Sequence, residues 1–517
     1  MTYRALCILM VGVLGWTSGA VAQPAPQALR PADGIPSNLV QVLQAQGDSL
    51  WVGPQLHLTT DGGASFSVAE IDSLVDSRNQ LFALDVEGPV LWAGLAFGTG
   101  SGGSGAGGFV FSTDGGETFT YRFPPLDAFA DTTVAYGGNT LAALPITTEE
   151  NSAPTGVDVV RPTGAVWSAN GFGGLRRSVD QGATWQRVVL PPDDRDVIFP
   201  DSTYDFVVGP PSAEGGSLNH VGFSVLVDET GTVWAGTAGG VNRSTPADVQ
   251  PNGRIWRRFA YDSTPAGLTG NRVVAIAEQS QSGRNPIWMA TWSANQTAAD
   301  RQRFGVTVTR DGGETFETVL VGARALDFAF HGETVYVAGG SLYRSDDGGD
   351  SWQTVRSFPL DDASRFLPDD PGVRSVATTS DALWVGTEEG LLRQRFGETT
   401  WTLFRADVPL DPETPTDAVP RVDTYAYPNP FSPAADRVVR IRYPLDMPRT
   451  VEVRIFDFNM NLVRRITDEA RPTGSQDAAE TVWDGTDRGG LRVPNGPYFY
   501  TVDVGDRLVR GKILLIE

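Results

Sequence analysis

Thiols are nearly absent from this chain of 517 residues, which holds one cysteine, Cys7, and three histidines, His57, His220 and His331. A single cysteine excludes an internal disulfide framework and a thiolate metal site. The histidines show no H-E-x-x-H spacing, and no G-x-S-x-G nucleophile elbow occurs. Lysine is missing as well: Lys512 apart, all of the 40 basic residues are arginine. Against them stand 62 acidic side chains, giving a net charge of −22. A surface of that sign repels phosphate backbones and anionic lipid, so no nucleic-acid partner is expected. It also suits a medium of strong salt, where screening relieves self-repulsion. Beyond the N-terminus no stretch is apolar enough to cross a bilayer as a helix, so no transmembrane segment is expected in the mature chain.

Glycine and proline are plentiful. Gly 59 and Pro 35 make up about 18% of the chain, against a usual value of roughly 12%. That excess predicts many turns and short strands, while aromatics at 10% supply core material. Residues 1–22 read as a secretory signal peptide: Arg4 gives the charged start, residues 5–15 the apolar stretch, and Ala20-Val21-Ala22 the cleavage pattern. Cys7 lies inside this segment, so the mature chain is expected to carry no thiol and no bacterial lipid anchor. The expected address is outside the cell, secreted or on the outer surface of a bacterium.

A short strand with a central aromatic recurs seven times: Leu50-Trp51-Val52-Gly53, Leu91-Trp92-Ala93-Gly94, Val166-Trp167-Ser168-Ala169, Val233-Trp234-Ala235-Gly236, Ile287-Trp288-Met289-Ala290, Val335-Tyr336-Val337-Ala338 and Leu383-Trp384-Val385-Gly386. Most copies are followed by Ser/Thr-x-Asp-x-Gly-x-Ser/Thr-Phe/Trp, as in Thr59-Thr60-Asp61-Gly62-Gly63-Ala64-Ser65-Phe66. The octet returns at 112–119, 178–185, 309–316 and 345–352, placing Asp114, Asp180, Asp311 and Asp347 at its third position. The fourth unit, at 244–256, and the seventh, at 392–401, depart from it. An aspartate carboxylate can accept main-chain N–H bonds in a tight turn, glycine permits positive φ, and the hydroxyl adds a local cap. The octet is the Asp-box (BNR) motif, and residues 30–405 resemble the Asp-box β-propellers, which include sialidases and many non-enzymatic secreted proteins. The resemblance implies structural roles for Asp61, Asp114, Asp180, Asp311 and Asp347, at the periphery and away from any ligand. Seven aromatic strands about 55 residues apart predict a seven-bladed ring, although six or eight blades stay open. Blades are expected to start with strands such as 39–43 and 273–277.

Residues 406–421 alternate proline with acid, as an extended linker does. In residues 422–517 apolar and polar side chains alternate over 438–443 and 451–456, Pro494-Asn495-Gly496 marks a turn, and 497–504 reads as a further strand. Short antiparallel strands in so few residues predict a β-sandwich. Tyr427-Pro428-Asn429-Pro430-Phe431, Ile455-Phe456-Asp457-Phe458-Asn459, Val482-Trp483-Asp484-Gly485-Thr486-Asp487, Asn495-Gly496-Pro497-Tyr498-Phe499-Tyr500 and Gly511-Lys512-Ile513 follow in order. This pattern resembles the FlgD-type Ig-like domain, related to C-terminal sorting domains of the type IX secretion system. That resemblance implies the secretion machinery as a partner of 422–517, or a docking role. The fold class expected is therefore all-β, a seven-bladed β-propeller followed by an Ig-like β-sandwich.

No residue is assigned as catalytic, metal-binding or cofactor-binding, and no cofactor is expected. Tyr121-Arg122-Phe123-Pro124 imitates a sialidase motif, but it follows the second Asp box, on a strand expected at the outer rim. Gly98 to Gly103 matches G-x-G-x-x-G inside a glycine/serine loop that opens no helix, so it is not read as a nucleotide site. The Pro/Asp-rich insertion 187–222, with Asp193, Asp194, Asp196, Phe199 and Tyr204, is either a recognition element, its three aspartates a candidate Ca²⁺ site, or an acidic solvated loop. Trp292 reads as a stacking residue or as core. The expected function is binding or scaffolding without catalysis, through propeller loops that recognise a protein or carbohydrate. The alternative is a glycoside hydrolase, sialidase-like or polysaccharide-cleaving.

Overall fold

The computed structural model describes residues 29–517 except 33, 72–77, 100–102, 161–162, 245–249, 265–266, 282–284, 295–300, 363–364, 366, 407–423, 446, 471–477 and 506. The expected signal peptide at 1–22 and all of the expected linker except Ala406 lie outside the described residues.

The aromatic strand repeat organises the first part of the chain. Trp51, Trp92, Trp167, Trp234, Trp288, Tyr336 and Trp384 are all buried, each in the second strand of an antiparallel meander. Gln80–Glu87, Val90–Gly98, Ser104–Ser112 and Thr120–Arg122 form one such meander, hydrogen-bonded in chain order. Among the described residues up to 404 there are seven sheets of this kind, of four or five strands, and one two-stranded hairpin. Their second strands are buried on both faces because each sheet packs between two others.

The first strands of successive sheets pack on one another, and that of the first sheet, Leu43–Gln46, packs on that of the seventh, Val373–Thr378. The sheets therefore close into a ring, which removes the edges an open stack would expose. The first strand begins later than the expected 39–43. Val40 N–H instead donates to Thr387 O of the seventh sheet at 2.9 Å, so this stretch serves ring closure before it joins its own sheet. The strand expected at 273–277 lies within Arg272–Glu278.

Two sheets gain an outer strand: Leu29–Ala32 beside Phe66–Ala69, and Val197–Ile198 beside Trp256–Phe259. The hairpin of Thr133–Tyr136 and Asn139–Ala142 lies in the connection from second to third sheet. It is tied to the insertion that follows the third sheet by Asn139 Nδ2, donating to Ser202 O at 2.7 Å, and to the fourth sheet by Tyr136 Oη, donating to Arg254 O at 2.8 Å.

The C-terminal residues form two sheets. One holds Tyr425–Tyr427, Val439–Pro444 and Ala478–Trp483; the other holds Leu462–Ala470, Arg449–Phe456, Gly496–Asp503 and Leu508–Leu515. Alternating side chains such as Val451, Val453 and Ile455 meet Val439, Ile441 and Trp483 in one core. The fold is all-β, a propeller-like ring followed by a β-sandwich.

Candidate binding face

A closed ring of four-stranded meanders has two faces. Turns from first to second and from third to fourth strand emerge on one; turns from second to third strand and the connections between sheets emerge on the other.

Every Asp box is a turn from third to fourth strand. In all five the aspartate accepts the main-chain N–H four residues on at 2.9 Å and that residue's hydroxyl at 2.5–2.6 Å. The Ser or Thr two residues before the aspartate accepts the N–H of the fifth-position glycine at 2.7–2.9 Å. The hydroxyl of Ser351 and its main-chain N–H hold Asp347 down to about 2. In Asp311 burial acts upward, but the bonds from Thr315 and Thr309 outweigh it and bring the carboxyl to about 2. These carboxylates are saturated by their own turns, which leaves them little capacity for a ligand.

The opposite face carries the longest connections, at 123–153, 188–221 and 356–372. It also carries the exposed phenylalanines of the ring. Phe123 and Phe129 are 73% and 85% exposed, and Phe82, Phe172, Phe199 and Phe304 are exposed as well. Each lies in a connection of this face or in strand residues leading from it. Among the described residues the Asp-box turns expose one large apolar side chain, Val179. Arginines stack on half-buried aromatics here: Arg324 lies 4.3 Å over Trp292, and Arg78 lies 4.7 Å over Phe97. Trp292, left open between stacking residue and core, is half-buried, with Nε1 donating to Ala325 O at 2.7 Å.

A buried ion triad fixes the segment that displays Phe123 and Phe129. Asp127 receives Arg176 Nη1 at 2.7 Å, Arg176 Nη2 at 2.9 Å, Ile146 N–H at 2.8 Å, and a further bond from Arg187. Burial alone would raise Asp127, yet the two guanidiniums hold it below the ordinary carboxylate range. The insertion 188–221 is not a solvated loop throughout. Asp193 accepts Leu218 N–H at 2.7 Å and Asn219 N–H at 2.9 Å, and Ser217, Asn219 and His220 are buried. Both Asp193 oxygens are thus spent on main chain, and among the described residues no group of three or more His, Cys, Asp or Glu is placed to hold a metal ion.

Asp85, Asp158 and Asp327 stand on first strands at the grooves between neighbouring sheets. Asp85 accepts Val159 N–H at 2.8 Å, Asp158 accepts Val227 N–H at 3.2 Å, and Asp327 accepts Val376 N–H at 3.0 Å. Although their side chains retain some solvent access, protein encloses them, and burial pushes Asp85 up to about 6 and Asp327 to about 7. Asp158 is also raised, by burial and then by the charge of Asp85. The repeats gave no sign of these three, because none lies in a recurring motif.

Burial lowers His57 and His220 to about 4, so both are neutral at pH 7; His331 packs 3.8 Å over Phe396. Arg122, of the sialidase-like motif, sits on an outermost strand and donates to Gln181 O at 2.8 Å.

In the C-terminal sandwich Trp483 is buried against Phe431 and Tyr498. Residues 435–506 match the FlgD Ig-like domain family. The Ig-like domain therefore accounts for the second part of the fold. No curated protein matches the chain by sequence. Among solved structures it is similar, at 15% identity and a TM-score of 0.43, to PorZ, a bacterial surface component of the type IX secretion system of Porphyromonas gingivalis. The likeness covers 94% of this chain, which spans 60% of the length of PorZ. YCF48 from Cyanidioschyzon merolae is similar at 16% identity and a TM-score of 0.40, over 72% of this chain and 100% of that one. A GH74 xyloglucanase from Xanthomonas campestris is similar at 12% identity and a TM-score of 0.46, over 94% and 81%. Among the described residues no helix is long and apolar enough to cross a membrane.

Proposed function

We propose that this chain is an exported binding or scaffold protein without catalytic activity. On this reading residues 30–405 are a seven-bladed Asp-box propeller whose loop face takes a protein or carbohydrate partner. Residues 422–517, joined through the linker 406–421, serve secretion or surface docking. Asp61, Asp114, Asp180, Asp311 and Asp347 act as turn staples on the far face. The observation that carries the proposal is the one-sided display of Phe123 and Phe129, held out by a buried ion triad. Exposed aromatics gathered on one face are the kind of surface that interaction sites use. A photo-crosslinking side chain at Phe129 should give a discrete adduct on living cells, and one at Glu117, in an Asp box, should not. Equal adducts at both sites, or none at either, would count against the loop face. Deletion of 422–517 should strand the protein in the periplasm; unaltered export would remove the sorting role.

A glycoside hydrolase is the second reading, favoured by Asp85 and Asp158, carboxyls with the raised affinity for protons that a general acid needs. Against it, each spends an oxygen on the neighbouring sheet. No turnover of sialosides or β-glucans is expected; hydrolysis abolished by Asp158→Asn would replace the binding reading.

A further inference from the structure

A carboxylate of the ring, Glu389, meets the Ig-like domain. Glu389 lies in the loop-face turn between Ala382–Thr387 and Leu391–Arg395 of the seventh sheet. Its Oε2 is 3.3 Å from Arg405 Nη2, just after the ring's last strand, and 2.9 Å from Arg440 Nη2, on Val439–Pro444 of the Ig-like domain. Its main-chain carbonyl also accepts Arg405 Nε at 2.9 Å. The Arg405 and Arg440 side chains are 8% and 4% exposed. Arg442 lies two residues on, where a strand returns to the same face. It is 3.9 Å from Glu480, which also accepts the Tyr427 hydroxyl. Burial, and then the charge of Arg440, bring Arg405 down to about 10. Three largely buried guanidiniums thus gather around two partly exposed carboxylates, and Glu389 pairs with arginines of both folded units. A second contact between them, Arg437 to Asp369 at 3.7 Å, is exposed and correspondingly weak.

We propose that Glu389 is an electrostatic latch that seats the Ig-like domain on the seventh sheet, and that loss of its charge releases the domain. Without that carboxylate Arg405 and Arg440, two largely buried cations, repel each other with less to offset them, and a poorly compensated buried charge is costlier than a hydrated one. Hydration is within reach, because residues 407–423 can span up to about 60 Å when extended, so the units can part without unfolding. The latch does not depend on what the loop face binds.

The test uses the full chain with Cys7→Ser, and spin labels on Glu398→Cys in the ring and Arg507→Cys in the Ig-like domain. The parent should give one narrow distance distribution. Glu389→Gln should raise the population at longer distances at least about tenfold, with an enlarged radius of gyration and unchanged near-ultraviolet circular dichroism. Glu388→Gln, next door, removes only an exposed pair with Arg374 and should leave the distribution narrow. Arg440→Gln removes the cation on the other side; it should also broaden the distribution and carries the test if Glu389→Gln does not fold. A narrow distribution in a folded Glu389→Gln or Arg440→Gln chain overturns the latch. So does equal broadening by Glu388→Gln, or a parent that is already broad.

Discussion

At the scale of single residues, the molecule spends its rare buried charges on position. Arg176 and Arg187 have side chains only 3% and 11% exposed, and both lean on Asp127. Replacing that carboxylate removes the counterion and leaves the cations buried, the arrangement for which the largest losses are measured. Asp127→Ala should therefore cost about 3–5 kcal/mol in chemical denaturation. Hydrogen exchange should quicken at 123–132 before it does elsewhere. A loss under about 1 kcal/mol would mean that the segment is held by apolar packing instead.

At the scale of elements, the two repeated signals turn out to be halves of one contact. The glycine at the fifth position of each Asp box faces the aromatic of the preceding sheet. A Cβ at Gly116 would fall 2.7 Å from Trp51, at Gly182 2.9 Å from Trp92, at Gly313 2.8 Å from Trp234, and at Gly349 2.7 Å from Trp288. Arginines reinforce the same seam: Arg310 Nη2 donates to Gly348 O at 2.6 Å, and Arg393, of the seventh sheet, donates to Gly62 O of the first. Gly349 has φ +101, so Gly349→Ala adds both strain and a clash, and should lose about 2 kcal/mol or more. Gly348→Ala meets no atom within 4 Å at φ +68 and should lose about 1 kcal/mol, from strain alone. Equal losses in thermal or urea unfolding would remove the inter-sheet contact from the explanation. The octets were legible because their donors and acceptors all fall within eight residues. The fourth sheet forms without one, since its Trp234 and Trp256 are buried like their counterparts, and core packing tolerates a different turn. The insertion 188–221 was legible only as an acidic stretch; what buries its far end is Asp193 capping residues some 25 positions away, which no local pattern reveals.

At the scale of the whole molecule, two sets of carboxylates pull the pH dependence in opposite directions. Asp85 and Asp327, raised to about 6 and 7, contribute stability that is full below the ordinary carboxylate value near ~4 and is lost as pH rises through 6–7. Asp311 and Asp347, lowered to about 2, contribute stability that is full above that value and is lost as pH falls toward 2. The unfolding temperature should therefore peak near pH ~4–5 and decline by a few degrees toward pH 8. Asp327→Asn should flatten the decline. Calorimetry across pH 3–8 decides the matter, and a midpoint still rising between pH 5 and 8 would contradict the assignment of the buried aspartates.

Read alone, the amino-acid order settled the all-β class, the Asp-box turns and the Ig-like character of the C-terminal part, because each is written in short-range patterns of glycine, aspartate, hydroxyl and aromatic residues. Only tertiary structure decided the rest: that the first and seventh sheets meet through Val40 and Thr387, that aspartates with no motif staple neighbouring first strands, that exposed phenylalanines gather on one face, and that Glu389 couples the ring to the Ig-like domain. The contacts among those features join residues from 49 to 347 positions apart, and contacts at such separations arise from ring closure and sheet stacking, which local sequence does not encode.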